Sequence, residues 1–467
     1  MIHQPLTTNN QPLTTTNYEG ESSDNTCVGI AEPNNLAAKL QPLTTNNQPP
    51  FMTRRRVVIT GMGAVTPLGK NVKELWDGIQ HEKCGIGPIT LFDATDCPVK
   101  IAAEVKDFKP EEHGIDPKEA RRMARFTQFL LAASKEAVAD ANLSEDDLHA
   151  DTTGVIAGTG FGGMDVIDST FNQYVAGGKR RVSPLAMAEL IPNEGAANVS
   201  IALGITGCAW SIATACASGT DAIGVALDAV RSGRLDVCLA GGSESGITDY
   251  SIKAFAGMHA LTDKFNDAPE KASRPFDKDR SGFIMGEGGA VLILEELEHA
   301  KARGAKIYAE LAGYGAAADA YHITSPKPDG SGCAMAMKRA IKDAGIEPTD
   351  IDYYNAHGTS THLNDVTETA MLKIALGDHA RKIKISSTKS MTGHCVGAAG
   401  VCEAIISTLA IRDSFVPATI NLENQDPECD LDYTPNKGVS MNIDVAASAS
   451  LGFGGHDGIA IIKKYNG

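Results

Sequence analysis

No uninterrupted apolar stretch of this 467-residue chain approaches the ~20 residues that span a bilayer. The best, residues 288–294, is short and runs into Glu295 and Glu296, so no membrane insertion is expected. The ten cysteines form no Cys-x-x-Cys pair, and the twelve histidines show no ligand-like spacing with them, which leaves metal binding unsupported. Scattered cysteines without a secretory signal fit a reducing cytoplasm, where most are small buried hydrophobes. Positive charge is also in deficit: 42 Lys and Arg against 58 Asp and Glu give −16, which argues against a protein that coats nucleic acid or an anionic membrane. What remains, 42% hydrophobic and 21% charged residues, is the composition of a globular protein of two or three structural units.

The first 53 residues differ from all that follows. QPLTTNN at residues 4–10 returns as QPLTTTN at 11–17 and as QPLTTNN at 41–47. Four acids (Glu19, Glu21, Asp24, Glu32) against one base (Lys39) are unlike an Arg-rich transit peptide, and the segment has no signal-peptide core. With too little apolar surface to offset its ordering entropy, this extension is expected to be disordered, and Met52 is the expected natural start. From Arg54 onward, apolar runs at 56–60 (RVVIT), 153–157, 237–240 and 290–294 read as strands, with helical patterns at 120–139 and 221–232. The succession then restarts: 306–313, 351–355, 383–387 and 458–463 are strand-like, and 334–344, 365–376 and 397–412 are helical. An α/β fold with largely parallel sheets follows, in two similar halves, 54–305 and 306–467, with a cleft between them.

Four segments carry candidate chemistry. In residues 211–221 (SIATACASGTD) an apolar run ends in a small-residue turn that opens a helix, placing Cys216 near a helix N-terminus, where thiolate is favoured. From this segment alone, Cys216 is either a nucleophile or a small core residue at a helix start. His357 in NAHGTST (355–361) and His394 in SSTKSMTGH (386–394) both sit in Gly/Ser/Thr-rich turns after strands, which with Cys216 points to a Cys-His-His constellation. The fourth segment, LGFGGHD (451–457), has glycines dense enough for a backbone N–H to approach a reacting oxygen, with Phe453 placed to cover a pocket mouth.

In their order and separations, TACASG (214–219), NAHGTST, STKSMTGH and GFGG, with RPFDKDRSGFIMGEG (274–288), resemble the elongating β-ketoacyl-acyl-carrier-protein synthases of the synthase II type. These are condensing enzymes of the thiolase superfamily, and the resemblance runs from Arg54 to the C-terminus. It implies a thiolase-like five-layer αβαβα fold of two pseudo-symmetric halves, assembled as a homodimer. It also implies acyl transfer to Cys216 followed by decarboxylative condensation with malonyl-acyl carrier protein, in fatty acid elongation. The backbone N–H groups of Cys216 and Phe453 would hold the oxyanion, His357 and His394 the enolate, and Phe453 would act as a gate. Lys389 would support the site, paired with Glu368. No metal and no cofactor of the enzyme's own is implied, since the phosphopantetheine arrives on the carrier. Lys118, Arg121 and Arg122 match the family's carrier contact, although by themselves they also read as a solvated helix start.

Several positions depart from the family pattern. His362 stands where proline usually follows, Asp457 replaces a common asparagine, Ala449-Ser450-Leu451 replaces Asn-Ser-Phe, and Glu194 lies in an acyl-pocket stretch that is commonly apolar. Three other readings compete. A degradative thiolase is disfavoured because the C-terminal Gly-rich segment carries Phe453 and no second cysteine. A decarboxylase-only partner usually lacks the nucleophile. A ketosynthase of a specialised polyketide pathway shares chemistry and motifs.

Overall fold

The computed structural model describes residues 54–178 and 182–467; the expectations of a disordered extension and an internal start lie outside them. Within that range, a strand forms wherever a short apolar run lies between turns. The strands are β1 (Val57–Val65), β2 (Thr153–Gly158), β3 (Ala209–Ile212), β4 (Val237–Glu244), β5 (Gly288–Glu296), β6 (Ala309–Ala318), β7 (Tyr353–Asn355), β8 (Lys384–Ser386), β9 (Val445–Gly452) and β10 (His456–Lys463). Their order is β8-β7-β9-β10-β6-β1-β5-β4-β2-β3. The first five strands, read from the middle outward, run β1-β5-β4-β2-β3, and the second five run β6-β10-β9-β7-β8, which is the same path with five added to each number. The two sets meet in a two-residue seam, Val58 with Glu310 and Ile59 with Ala309.

The sheet is mixed, where the sequence suggested largely parallel strands. In each half three strands are parallel, but β1, β5, β6 and β10 are antiparallel to their neighbours. Apolar runs buried on both faces look alike in either direction, so sequence alone did not separate the cases. The missed strand β9 (VAASASLG) is built of small residues that carry little strand signal, yet all but its last residue are buried.

Among the described residues, seven helices of ten residues or more complete five layers: α1 (Arg125–Ala141), α2 (Met164–Ala176), α3 (Glu194–Leu203), α4 (Ser218–Arg231), α5 (Ser331–Ala344), α6 (His362–Leu376) and α7 (Ala399–Asp413). One core joins α4 and α7 to inward residues of both strand sets, including Ile59, Ala240, Leu292, Ala446 and Ile462. A second core puts α1 on the outer face of the first set, and a third puts α5 and α6 on the outer face of the second. In α7, 13 of 15 residues are buried, which an apolar surface all round the helix demands.

Close helix–sheet contact depends on glycine. A Cβ at Gly63 of β1 would lie 1.9 Å from the Ala133 carbonyl oxygen of α1. Gly63→Ala is therefore expected to lower stability by about 3 kcal/mol, read as a reduced midpoint of denaturant unfolding. An unchanged midpoint would show that α1 shifts freely, contrary to this packing.

Candidate active site

Cys216 lies in a single 3₁₀ turn between β3 and α4. The turn is tight because Ala215 adopts φ +51°, rare for a residue with a Cβ. Ser218 holds it: its hydroxyl donates to Ala215 O (2.6 Å) and accepts from Thr214 N–H (2.9 Å). At Gly452 a Cβ would sit 3.3 Å from Cys216 N and 2.8 Å from Thr214 O, so glycine lets β9 end beside the thiol. The backbone N–H groups of Phe453 and of Cys216 itself lie near enough to Sγ to favour its thiolate form.

His357 follows β7. Its backbone N–H and that of Gly358 donate to the two oxygens of Glu368 on α6, at 2.7 and 2.8 Å, and Tyr354 O–H donates to the same carboxylate. His394 follows β8 through a short helical turn, with its N–H donating to Ile284 O (2.8 Å). The two imidazole centroids lie 5.2 Å apart at 87°. Both rings are buried and carry nitrogens without a hydrogen-bond partner. Desolvation first, then the Lys389 charge, holds both imidazole pKa values well below the usual range, so both are neutral.

The predicted ion pair is corrected. Lys389, 1% exposed, donates to Glu403 on α7 at 2.5 Å, while Glu368 accepts from backbone N–H groups and Tyr354. Glu403 was missed, yet it is the only acid inside an otherwise apolar helical run (GVCEAIISTLAI), a pattern that signals a buried partner. Burial lifts its carboxyl to about 7, against the lysine's pull. A second missed acid is Glu244, at the end of the apolar strand β4. It accepts from Gly160 N–H (2.7 Å), Gly397 N–H (3.1 Å), Phe161 N–H (3.2 Å) and Thr159 O–H (3.2 Å), tying two turns together beside Cys216. Desolvation, the largest effect, raises the Cys216 thiol to about 11, and Lys389 opposes it.

Cys216, His357, His394 and Phe453 line one cavity of about 660 Å³. Phe161, Phe255 and Phe283 give it an apolar wall, with Phe453 stacked on Phe255 at 6.3 Å. Sγ and the imidazole nitrogens lie within 4.8 Å of one another, close enough for a soft metal ion. The Lys389 ammonium acts on all three groups and opposes a cation there. His362 and Asp457 also line the cavity. Glu194 does not: it opens α3, half-buried, and bonds to Asn193 and Asn198 side chains. Lys118, Arg121 and Arg122 are exposed around a four-residue helix capped by Asp116, without ion pairs among the described residues.

A thiol beside two neutral imidazoles and two backbone N–H groups, held between two repeated halves, defines an acyl-transferring condensing enzyme of thiolase-like fold. The Beta-ketoacyl synthase N-terminal domain matches residues 54–300 and its C-terminal domain residues 308–423, and the chain belongs to that family. The 3-oxoacyl-[acyl-carrier-protein] synthase 2 of Synechocystis sp. is 49% identical over 414 residues, 89% of this chain and 99% of that relative. Among solved structures, the ishigamide ketosynthase/chain length factor superposes with TM-score 0.83 at 36% identity, covering 88% of this chain and 100% of that one. A type II polyketide ketosynthase in complex with its acyl-carrier protein gives TM-score 0.81 at 36% identity, with the same coverage.

The neutral imidazoles make stability depend on pH. Below about 6.5 the unfolded chain binds protons at His357 and His394 that the native chain refuses, so stability falls as pH drops from there and is indifferent to these groups above it. His357→Asn and His394→Asn should each remove up to about 1.4 kcal/mol per pH unit from this acid slope, measured by denaturant unfolding between about pH 5 and 6.5. An unchanged slope in both variants would mean the rings are protonated in the native protein.

Proposed function

We propose that this chain joins malonyl-acyl carrier protein to a Cys216-bound fatty acyl group, giving β-ketoacyl-acyl carrier protein in fatty acid elongation. The supporting observation is the convergence of Cys216 Sγ, two neutral imidazoles and two backbone N–H groups in one apolar-walled cavity. Sγ attacks the carrier thioester, and the departing phosphopantetheine thiolate takes the Cys216 proton. The N–H groups of Cys216 and Phe453 hold the oxyanion, each worth about 3 kcal/mol. Malonyl thioester then loses CO2. The enolate oxygen accepts hydrogen bonds from the imidazole N–H groups of His357 and His394, and its carbon attacks the acyl carbonyl, expelling the Cys216 thiolate. Neutral imidazole suits this step because it donates a hydrogen bond without readily protonating carbon. Lys389, held by Glu403, supplies positive potential to all three groups, and Glu368 fixes the His357 backbone.

The reaction calls on no metal and no cofactor of the enzyme's own. Elongation is favoured over a specialised polyketide role because the 3-oxoacyl-[acyl-carrier-protein] synthase 2 relative is 49% identical and the type II polyketide ketosynthase 36%. No helix among the described residues is long and apolar enough to cross a membrane. The nine described cysteines are all free, which supports a cytoplasmic location. A homodimer is supported by β3, a sheet-edge strand with exposed Trp210, and by α2, whose Ile167, Phe171 and Val175 form an exposed apolar stripe at helical spacing.

Mixing the chain with acyl-carrier proteins of several lengths should add acyl mass to the Cys216 peptide alone, and Cys216→Ala should abolish it, as read by peptide mass spectrometry. No acylation of folded protein by any length would overturn the reading. Exposed and unpaired, Lys118, Arg121 and Arg122 form the proposed carrier-docking patch. Charge reversal at Arg121 and Arg122 should raise KM for carrier-bound substrate roughly tenfold while sparing acylation by a small thioester; an unchanged KM removes the patch.

A further inference from the structure

Two turns line the cavity that holds the thiol. One is residues 452–455, which carries Phe453 and joins β9 to β10, and the other is residues 319–326, which follows β6; both contribute residues to the cavity. They are stitched together by two backbone bonds, Asp319 N–H to Gly455 O (2.9 Å) and Gly454 N–H to Ile323 O (2.7 Å). The approach is close: a Cβ at Gly455, φ +72°, would lie 2.6 Å from the Asp319 Cβ.

Two aspartates are buried at the feet of these turns: Asp319 opens the second, and Asp457 is the second residue of β10, paired with Leu451 of β9 and Ala317 of β6. Asp319 is 8% exposed and Asp457 4%. One Asp319 oxygen accepts from Lys327 N–H (2.9 Å), while its other oxygen, and Oδ2 of Asp457, are buried without a partner. A third acid, Asp221 on α4, is satisfied by Tyr314 O–H and Thr214 O–H, both at 2.6 Å. Among the described residues, no lysine, arginine or histidine lies within ion-pair distance of any of the three. Cys333 on α5 and Tyr354 on β7 also face Asp457, and both are kept neutral by burial, with Glu368 behind them. His456, next in the chain, is exposed. Among the described residues, the group of acidic, thiol and imidazole side chains close enough to hold a cation is Cys216, His357 and His394, and the three aspartates are not part of it.

We propose that Asp457 is a positioning residue for Phe453: as a neutral acid at the start of β10 it lets the 452–455 turn close on the 319–326 turn beside Cys216, and loss of its proton loosens the two turns from each other. The proton leaves to water, and the new carboxylate faces Asp319 and Asp221 with no cation between them. Burial first, then those two carboxylates, raises the Asp457 carboxyl to about 8, inside the range where an enzyme operates. When the turns part, the Phe453 N–H leaves Cys216 Sγ and one oxyanion donor is lost. Acylation therefore weakens on the alkaline side, and an asparagine at this position would not respond. This inference rests on the acyl-transfer reading.

The test is the rate of Cys216 acylation by a medium-chain acyl-pantetheine from about pH 7 to about 9.5, in the full chain and in Asp457→Asn. The native rate relative to the variant should fall at least about tenfold across that range. Parallel profiles, or a variant slower by one factor at every pH, would overturn the proposal. Infrared difference spectra separate it from the acyl-transfer reading. A protonated carboxyl band present in native protein at neutral pH, lost on raising the pH through about 8 and absent from Asp457→Asn, is expected even if no acylation occurs at all. If Asp457→Asn does not fold, Asp319→Asn replaces it: the band titrating near pH 8 must move to lower pH, and an unmoved band refutes the assignment.

Discussion

The structure depends on how closely the starts of α4 and α7 approach each other. A Cβ at Gly219 would meet Gly397 O at 2.6 Å, and one at Gly400 would meet Thr220 Oγ1 at 2.1 Å. Cys216 lies two residues before the start of α4, and His394 a few residues before α7, so this contact sets the distance between nucleophile and imidazole. The apolar surfaces of the two helices hold it: they form one core with both strand sets, in which Asp221 and Thr220 of α4 are paired with neighbouring hydroxyls and Glu403 of α7 with Lys389. Side chains larger than glycine at these crossings would separate the reacting groups without touching any of them.

Burial also sets the electrostatics. Desolvation is the largest influence on Cys216, His357, His394, Glu244 and Glu403, and in each case it favours the uncharged form. The Lys389 charge works with it at the histidines and against it at the cysteine and Glu403. One buried cation thus keeps two rings neutral while drawing the thiol towards ionisation, and a single pairing with Glu403 keeps that cation in place.

Much of this was legible in the sequence because each reactive residue sits in a turn whose small residues are required by geometry. Ala215 and Gly358 at positive φ, and Gly452 against Cys216 N, leave little room for other side chains. The layered α/β fold was legible from the alternation of apolar runs and helical periods. Strand direction was not, because burial on both faces erases the alternation that marks an antiparallel edge. Nor was the partner of Lys389: Glu368 and Glu403 both lie on helices within reach along the chain, and the choice between them is made by how α6 and α7 pack. Glu244 escaped notice because its partners are backbone N–H groups, which have no sequence signature.

The repeated strand path has one more consequence. The nucleophile belongs to the first repeat and both histidines to the second, so neither repeat alone holds a working set of groups. Separate repeats would have to find each other in solution before any chemistry began, at a rate set by their dilution. Covalent linkage makes that encounter intramolecular, so assembly of the reacting groups is independent of how much protein is present.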